Sequence, residues 1–93
     1  MEFEWDETKS DACYQARGFD FAYVLPVFFD NNRLIRHDRR YGYGEERYQL
    51  FGKVEERVFV VVYTIRKNAI RIISARKANQ REIRDYENSA REN

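Results

Sequence analysis

Hydrophobic and polar positions alternate in several short stretches of the chain, which indicates β-strands. At the N-terminus, Phe3 and Trp5 alternate with glutamates. Three further strand-like stretches cover residues 46–54, 57–66 and 70–75. The middle stretch is a nearly continuous run of β-branched and aromatic residues, typical of a central strand buried on both faces. The connections between the three stretches are short, so we expect neighbouring strands to pair antiparallel.

Two helices are predicted between the first strand and the others. Asp6 is a suitable N-cap for a helix that runs to about Arg17, and Gly18 can end that helix in the left-handed conformation. A second helix is expected from about Asp20, because apolar residues follow at spacings of three and four. Pro26 falls inside this segment and weakens the helical pattern, because proline removes a backbone hydrogen bond.

The remaining segments are a polar stretch and a C-terminal helix. Residues 30–45 are polar, contain two glycines and have no clear period, so we interpret them mainly as a loop. Residues 78–90 favour helix, with Ile83 and Tyr86 as the main apolar anchor. The predicted order is β-α-α-β-β-β-α. The expected fold is α+β, an antiparallel-rich sheet with helices packed on one face, and residues 1–93 are expected to form a single domain.

Charge is unevenly distributed along the chain, although the net charge is only +1. Residues 1–30 hold seven acidic and two basic residues, a balance of −5. Residues 57–77 hold six basic residues and no acid, a balance of +6. The basic cluster favours a polyanionic partner, provided that folding keeps these cations together.

Composition excludes several other classes of protein. With 43% hydrophobic and 35% charged residues the chain is expected to be globular, and no apolar run is long enough to span a membrane. The N-terminus is too acidic for a signal peptide, and the single Cys13 fits a reducing compartment, so we expect a cytoplasmic location. One histidine and one cysteine cannot form a zinc site, and no phosphate-binding loop is present. No metal or cofactor is therefore expected, which leaves cation-based chemistry or simple binding.

The cations of the predicted sheet can be assigned to faces by strict alternation along each strand. On this basis Arg66 and Arg71 lie near the turn between the last two strands, and Arg76 lies at the far end of the last strand. Alternation also places Arg71 and Arg76 on opposite faces, with Arg76 directed across the sheet. The pattern alone favours solvated charges at strand ends, which discourage aggregation at sheet edges.

Tyrosines could give a nucleic-acid surface the aromatic rings on which unpaired bases stack. The candidates are Tyr41, Tyr43, Tyr48, Tyr63 and Tyr86. Packing within the sheet is the commoner use of such residues.

Short motifs along almost the whole chain resemble, in order, those of the BrnT toxin family. They are "FEWDETK" at residues 3–9, "GFDF" at 18–21, "VF" at 27–28, "GEER" at 44–47, "VVVYTIR" at 60–66 and "RIISARKA" at 71–78, followed by Glu82 and Tyr86. The resemblance covers residues 3–86, and "RIISARKA" is its most specific part.

The resemblance implies a fold, an activity and a partner. BrnT proteins are ribonuclease toxins of type II toxin–antitoxin modules and have a RelE-like fold. Each is paired with a BrnA antitoxin, which carries a ribbon-helix-helix DNA-binding domain. For this chain the resemblance implies RNA as the substrate, a BrnA-like antitoxin as the partner, and contact with promoter DNA only through that antitoxin.

The resemblance also implies site residues. Arg66 and Arg76 are the expected catalytic arginines, Glu46 and Lys9 are further candidates, and Tyr86 is a candidate for proton transfer. A substrate-binding role is expected for two further cations, Arg17 and Lys77.

Two positions depart from the family pattern, both within "CYQARG" at residues 13–18. Many members have an asparagine where this chain has Cys13 and a histidine where it has Arg17. If that histidine moves protons in the family, Arg17 cannot replace it as a base, although it can hold a phosphate, and the activity would be reduced or altered.

Two functions of different classes follow. The first is metal-independent RNA cleavage in which the substrate's 2′-hydroxyl attacks the adjacent phosphorus while arginines stabilise the developing charge. The second is a non-catalytic interaction module whose basic sheet docks an acidic protein segment or RNA.

Overall fold

A computed structural model of the protein describes residues 2–39 and 44–92. The five strands are β1 (Glu2–Trp5), β2 (Leu34–Asp38), β3 (Arg47–Val54), β4 (Arg57–Arg66) and β5 (Ala69–Lys77). The helical elements are α1 (Glu7–Arg17), a 3₁₀ helix (Ala22–Phe29) and α2 (Gln80–Glu92). The predicted α+β class is confirmed.

The strands form one sheet in the order β1-β5-β4-β3-β2. β1 pairs parallel with β5, and the other neighbours pair antiparallel, as predicted for the last three strands. β4 lies at the centre, and its residues from Val58 to Thr64 are all buried. The prediction of a central strand covered on both faces is therefore confirmed. Lys67 and Asn68 form the two-residue turn from β4 to β5, and both have positive φ, as tight hairpin turns require.

Local chemistry fixes both ends of α1 as predicted. The Asp6 carboxylate accepts hydrogen bonds from the backbone N–H groups of Thr8 and Lys9, at 2.8 and 3.4 Å. Gly18 ends the helix with φ of 85°, and its N–H donates to the Tyr14 carbonyl.

The second predicted helix is present, and it forms as a 3₁₀ helix where the predicted order has an α-helix. Pro26 lies inside it and lacks the N–H that an α-helix would use. Val24 and Val27, three positions apart, are both fully buried against the sheet, which suits three residues per turn.

The prediction that residues 30–45 are mainly loop is also wrong in part, because this segment contains β2. β2 is an edge strand paired only with β3. Its side chains are mostly exposed, with Asp38 the buried exception, so it lacks the apolar alternation by which strands are recognised.

Helical elements cover both faces of the sheet, which corrects the expectation of helices on one face. α1 and the 3₁₀ helix pack on the face that includes Val61 and Ile72. α2 packs on part of the opposite face, where Ile83 and Tyr86 contact a cluster that includes Phe51. A central strand that is apolar on both sides requires cover on both sides.

We expect Gly52→Ala to destabilise the fold by about 1–3 kcal/mol through overpacking. A Cβ atom on Gly52 would lie 2.8 Å from the Cβ and 3.0 Å from the carbonyl oxygen of the fully buried Val27. Urea unfolding followed by circular dichroism measures the change. Ser74→Ala, at an exposed position of β5, is the control and should change stability by less than about 0.5 kcal/mol. An unchanged midpoint for Gly52→Ala would show that β3 and the 3₁₀ helix do not pack this closely.

Candidate nucleic-acid interface

Strand register brings five arginines to one face of the sheet, which we call the arginine face. They are Arg36, Arg47, Arg66, Arg71 and Arg76. α2 packs on this same face near one end of the strands, and among the described residues no helix packs over the end near the β4–β5 turn. The face therefore combines clustered cations with an accessible sheet surface.

A β-bulge in β5 places Arg71 on the arginine face. Val62 pairs with Ser74 and the next residue, Tyr63, pairs with Ile72, so Ile73 has no partner on β4. The extra residue reverses the alternation, and Arg71 and Arg76 lie on the same side of the sheet. The prediction that they face opposite ways is wrong, because strict alternation holds only along an unbulged strand.

Carboxylates from distant parts of the chain bind the arginines near the β4–β5 turn. Glu45 bridges two of them, with one oxygen 3.0 Å from Arg66 Nη2 and the other 3.3 Å from Arg47 Nη2. The hydrogen bond from Arg66 is the main cause that holds the pKa of Glu45 below its ordinary value. Arg71 forms its ion pair with Glu4 of β1 at 2.8 Å. Three guanidinium groups are thus oriented by two carboxylates.

Arg76 is oriented by α2. Its two terminal nitrogens donate to the two oxygens of Glu82, each at 2.8 Å. Glu82 also accepts from the Asn79 backbone N–H at 2.9 Å while its own N–H donates to the Asn79 side chain at 2.8 Å, which is a capping box at the start of α2. The bond from Arg76 is the main cause that lowers the pKa of Glu82. The Glu82 carboxylate therefore caps the start of α2 and also fixes the plane of the Arg76 guanidinium.

Arg66 and Arg76 lie at opposite ends of the arginine face. Arg76 pairs with Val60, which is six positions from Arg66 along β4, or about 20 Å. The two arginines predicted to act together are therefore far apart along the strands.

Arg76 instead meets the two predicted substrate-binding cations. Arg17, Arg76 and Lys77 line a hollow of about 320 Å³ together with Phe19. Among the described residues, neither Arg17 nor Lys77 forms an ion pair with a carboxylate. This hollow, which we call the phosphate hollow, brings together three side chains predicted separately from the sequence.

Glu46 is placed beside the only histidine. Its carboxylate contacts His37 Nε2, and the Arg39 Nε–H donates to His37 Nδ1 at 3.1 Å. The Glu46 carbonyl accepts from the Thr64 hydroxyl at 2.5 Å, which ties the start of β3 to β4. The sequence analysis did not single out His37 as a partner for Glu46, because β2 was interpreted as loop.

The other two predicted site residues lie away from the phosphate hollow. Lys9 is exposed on α1, and its ammonium group forms no hydrogen bond or ion pair within the described parts of the chain. Tyr86 is only 4% exposed, and its hydroxyl donates to Asp30 at 2.5 Å. Burial is the main cause that raises the pKa of Tyr86, followed by this hydrogen bond. The position makes Tyr86 an anchor of α2, and its role in proton transfer stays a prediction.

The tyrosines predicted as stacking surfaces pack within the protein where the structure describes them. Tyr48 and Tyr63 stack on each other at 5.4 Å, and Tyr63 and Tyr86 are buried. Tyr41 and Tyr43 lie outside the described residues. Among the described tyrosines, Tyr14 and Tyr23 are exposed, at 55% and 41%.

Sequence reasoning missed the carboxylates that hold the arginines. Glu45 stood next to the predicted Glu46, and Glu82 formed part of the family resemblance, so both were visible without an assigned role. The spacing Asn79-x-x-Glu82 is the signal that could have placed Glu82 at a helix start. No sequence signal paired Glu4 with Arg71, because that contact depends on the parallel register of β1.

In residues 2–39 and 44–92 no group of three or more His, Cys, Asp or Glu side chains is arranged to hold a metal ion. The helices there are too short or too polar to cross a lipid bilayer.

Glu82→Gln should lower stability at neutral pH by up to about 1 kcal/mol, because it removes the ion pair and keeps a side chain that can cap α2. The folded-state pKa of Glu82 is lowered, so its contribution is complete above the unfolded value of about 4.3 and is lost as pH falls below it. Urea unfolding from pH 7 to pH 3 should therefore show the difference from wild type shrinking with acid.

Glu87→Gln on the same helix provides the matched control, since Glu87 is exposed and forms no ion pair in the described structure. It should leave stability nearly unchanged at every pH. A pH-independent loss in Glu82→Gln would contradict the ion pair as the cause.

Residues 5–82 match the family model described as "Ribonuclease toxin, BrnT, of type II toxin-antitoxin system". A search of curated proteins gave no significant match to the chain. The matched segment includes Arg17, Arg66, Arg76, Lys77 and Glu82, and it covers well over half of the chain. The protein therefore belongs to the BrnT family of ribonuclease toxins of type II toxin–antitoxin systems.

Proposed function

We propose that the chain is an endoribonuclease that cleaves RNA without a metal and so inhibits translation and growth. The 2′-oxygen of the substrate forms a bond to the adjacent phosphorus, and the bond from phosphorus to the 5′-oxygen breaks. The 2′-hydroxyl loses its proton and the leaving 5′-oxygen gains one. The products are a 2′,3′-cyclic phosphate and a 5′-hydroxyl end, so the protein supplies charge stabilisation and proton transfer and no nucleophile.

The observation that carries the proposal is the set of cations around Arg76. Glu82 holds one side of the guanidinium through two bonds of 2.8 Å, and the Arg76 side chain is still 39% exposed. Arg17 and Lys77 line the same hollow. A scissile phosphate bound there meets three cations. Donors that are already oriented stabilise the additional negative charge of the transition state with little reorganisation.

The rest of the arginine face supports binding of the RNA strand beyond the scissile phosphate. Arg66, Arg47 and Arg71 are clustered at the other end of β4 and β5. At about 20 Å from Arg76 they suit a phosphate several nucleotides away. We therefore assign Arg76 to the scissile phosphate and Arg66 to the flanking backbone.

Proton transfer is proposed for one of Glu46, Lys9 and Tyr86. Glu46 is exposed and contacts His37, Lys9 is exposed on α1, and Tyr86 is buried against the sheet. Substitution of each, followed by the pH dependence of cleavage, distinguishes them, because only the proton-transfer group should remove one limb of the profile.

A toxin of a type II system has a cognate antitoxin, and we propose that this antitoxin is BrnA-like with a ribbon-helix-helix domain. Its acidic segment would cover the arginine face, and promoter DNA would be contacted only through it. Both proteins would act in the cytoplasm, where mRNA is accessible. The concentration of arginines on one accessible face supports this arrangement.

Arg76→Ala should lower kcat for RNA cleavage by about 10²–10³, because a preorganised donor to the transition state is lost. Arg66→Ala should act mainly on KM, because it removes a contact to the flanking backbone. Arg84→Ala serves as the matched control, since Arg84 is exposed on α2 and has no ion pair in the described structure. Cleavage of labelled RNA by purified protein, in EDTA, gives both constants.

Cleavage by wild type should persist in EDTA and stop when the scissile nucleotide lacks its 2′-hydroxyl. Wild-type kcat in the Arg76→Ala variant would remove Arg76 from the mechanism. RNA left intact by wild type, despite tight binding, would favour the non-catalytic interaction module.

RNA and the antitoxin should compete for the arginine face. Adding purified cognate antitoxin should displace a fluorescent RNA that cannot be cleaved, and charge reversal at Arg66 and Arg71 should weaken both complexes. Native mass spectrometry measures the complex with the antitoxin, and fluorescence anisotropy measures the complex with RNA. A complex that holds toxin, antitoxin and RNA together at full occupancy would show that the antitoxin binds elsewhere.

A further inference from the structure

A second, larger hollow lies beside the phosphate hollow and has no role in the mechanism described above. It has a volume of about 750 Å³ and lies between the C-terminal end of α1 and the turn from β3 to β4. Arg17, Phe19 and Lys77 line both hollows, so the two are neighbours. The volume lies within the range of small-molecule binding sites.

Aromatic rings form much of this larger hollow. Phe19 packs edge-to-face on Phe59 at 5.0 Å, which gives a buried apolar floor. Tyr14 and Tyr23 also line this hollow, and they are 55% and 41% exposed. Large exposed rings beside a cavity are the arrangement that stacks an unpaired base.

Tyr23 is held in place by two acids. Its hydroxyl donates to Glu55 at 2.7 Å, and its backbone N–H donates to Asp20 at 3.0 Å. A ring fixed in this way loses little conformational freedom when a ligand stacks on it. Both acids therefore have a structural task at the hollow.

Charge along the two hollows is graded and indicates the chemistry of the ligand. The phosphate hollow is lined by cations and Phe19, with no carboxylate side chain. The larger hollow adds the acids Asp20, Glu55 and Glu56 together with Arg57. An acidic peptide would be repelled at the acidic end. A nucleotide has its anion at one end and a neutral base at the other, which matches the gradient.

We propose that the larger hollow binds a base of the single-stranded RNA next to the scissile phosphate. The base lies against Tyr14 and Tyr23, while its phosphate extends to Arg17 and Lys77. The inference rests on the proposed function for the position of the scissile phosphate at Arg76. It adds a contact that reads the substrate beside the cleaved bond, away from the arginine face.

The test uses a ten-nucleotide RNA that lacks the 2′-hydroxyl at the scissile nucleotide and carries 2-aminopurine beside it. Wild type should quench the 2-aminopurine fluorescence, because the base stacks on tyrosine. Tyr14→Ala should weaken binding about tenfold and reduce the quench, and Tyr14→Phe should restore both, since the ring is retained. Phe29→Ala is the matched control, because Phe29 is 73% exposed and lies on the surface near Phe3.

The outcomes separate this inference from the proposed function. Binding uses RNA that cannot be cleaved, so the hollow is tested even if wild type cleaves no RNA at all. Wild-type affinity and quench in both Tyr14→Ala and Tyr23→Ala would overturn the proposal. Loss of the antitoxin complex with RNA binding intact in these variants would also overturn it, in favour of a protein-docking site.

Discussion

The bulge at Ile73 determines which side chains of β5 reach the arginine face. Without it, strict alternation would turn Arg71 to the side covered by α1 and the 3₁₀ helix, where Ile72 now packs. With the bulge, both ends of β5 place apolar side chains in the core on one face of the sheet and arginines on the other face. β5 can therefore serve both the core and the arginine face only because Ile73 has no partner on β4. Bulges of this kind are common next to functional sites, where they redirect side chains.

Acids from three separate segments then orient the arginines. Glu4 comes from β1, Glu45 precedes β3, and Glu82 begins α2. Each contact brings a remote part of the chain against the central sheet. The same contacts pair three of the six cations that residues 57–77 hold without an acid, namely Arg66, Arg71 and Arg76. Because Glu82 also caps α2, the orientation of Arg76 is coupled to the docking of the C-terminal helix.

Local chemistry was readable from the sequence, and non-local pairing was not. Asp6 and Gly18 revealed both ends of α1, because helix caps depend on residues within one turn. β2 was missed because an edge strand with mostly exposed side chains lacks an apolar period. The bulge was missed because it depends on how β5 packs against β4.

The same distinction between local and non-local information applies to the candidate site. Arg17, Arg76 and Lys77 were named from the sequence, and the structure brings them into one hollow. The separation of Arg66 from Arg76 and the partners Glu45 and Glu82 became visible only with the strand register. Residue types that bind phosphate can be read along a chain, whereas their distances depend on the completed sheet.

The central claim is that RNA lies along the arginine face with a phosphate at Arg76. The most direct measurement is a titration of labelled protein with RNA that lacks the scissile 2′-hydroxyl, followed through the side-chain Nε–H signals of the arginines by NMR. The account predicts that the signals of Arg66, Arg71 and Arg76 shift together as RNA binds, while that of Arg84 stays in place. Saturating RNA binding with the Arg76 signal unmoved would contradict it.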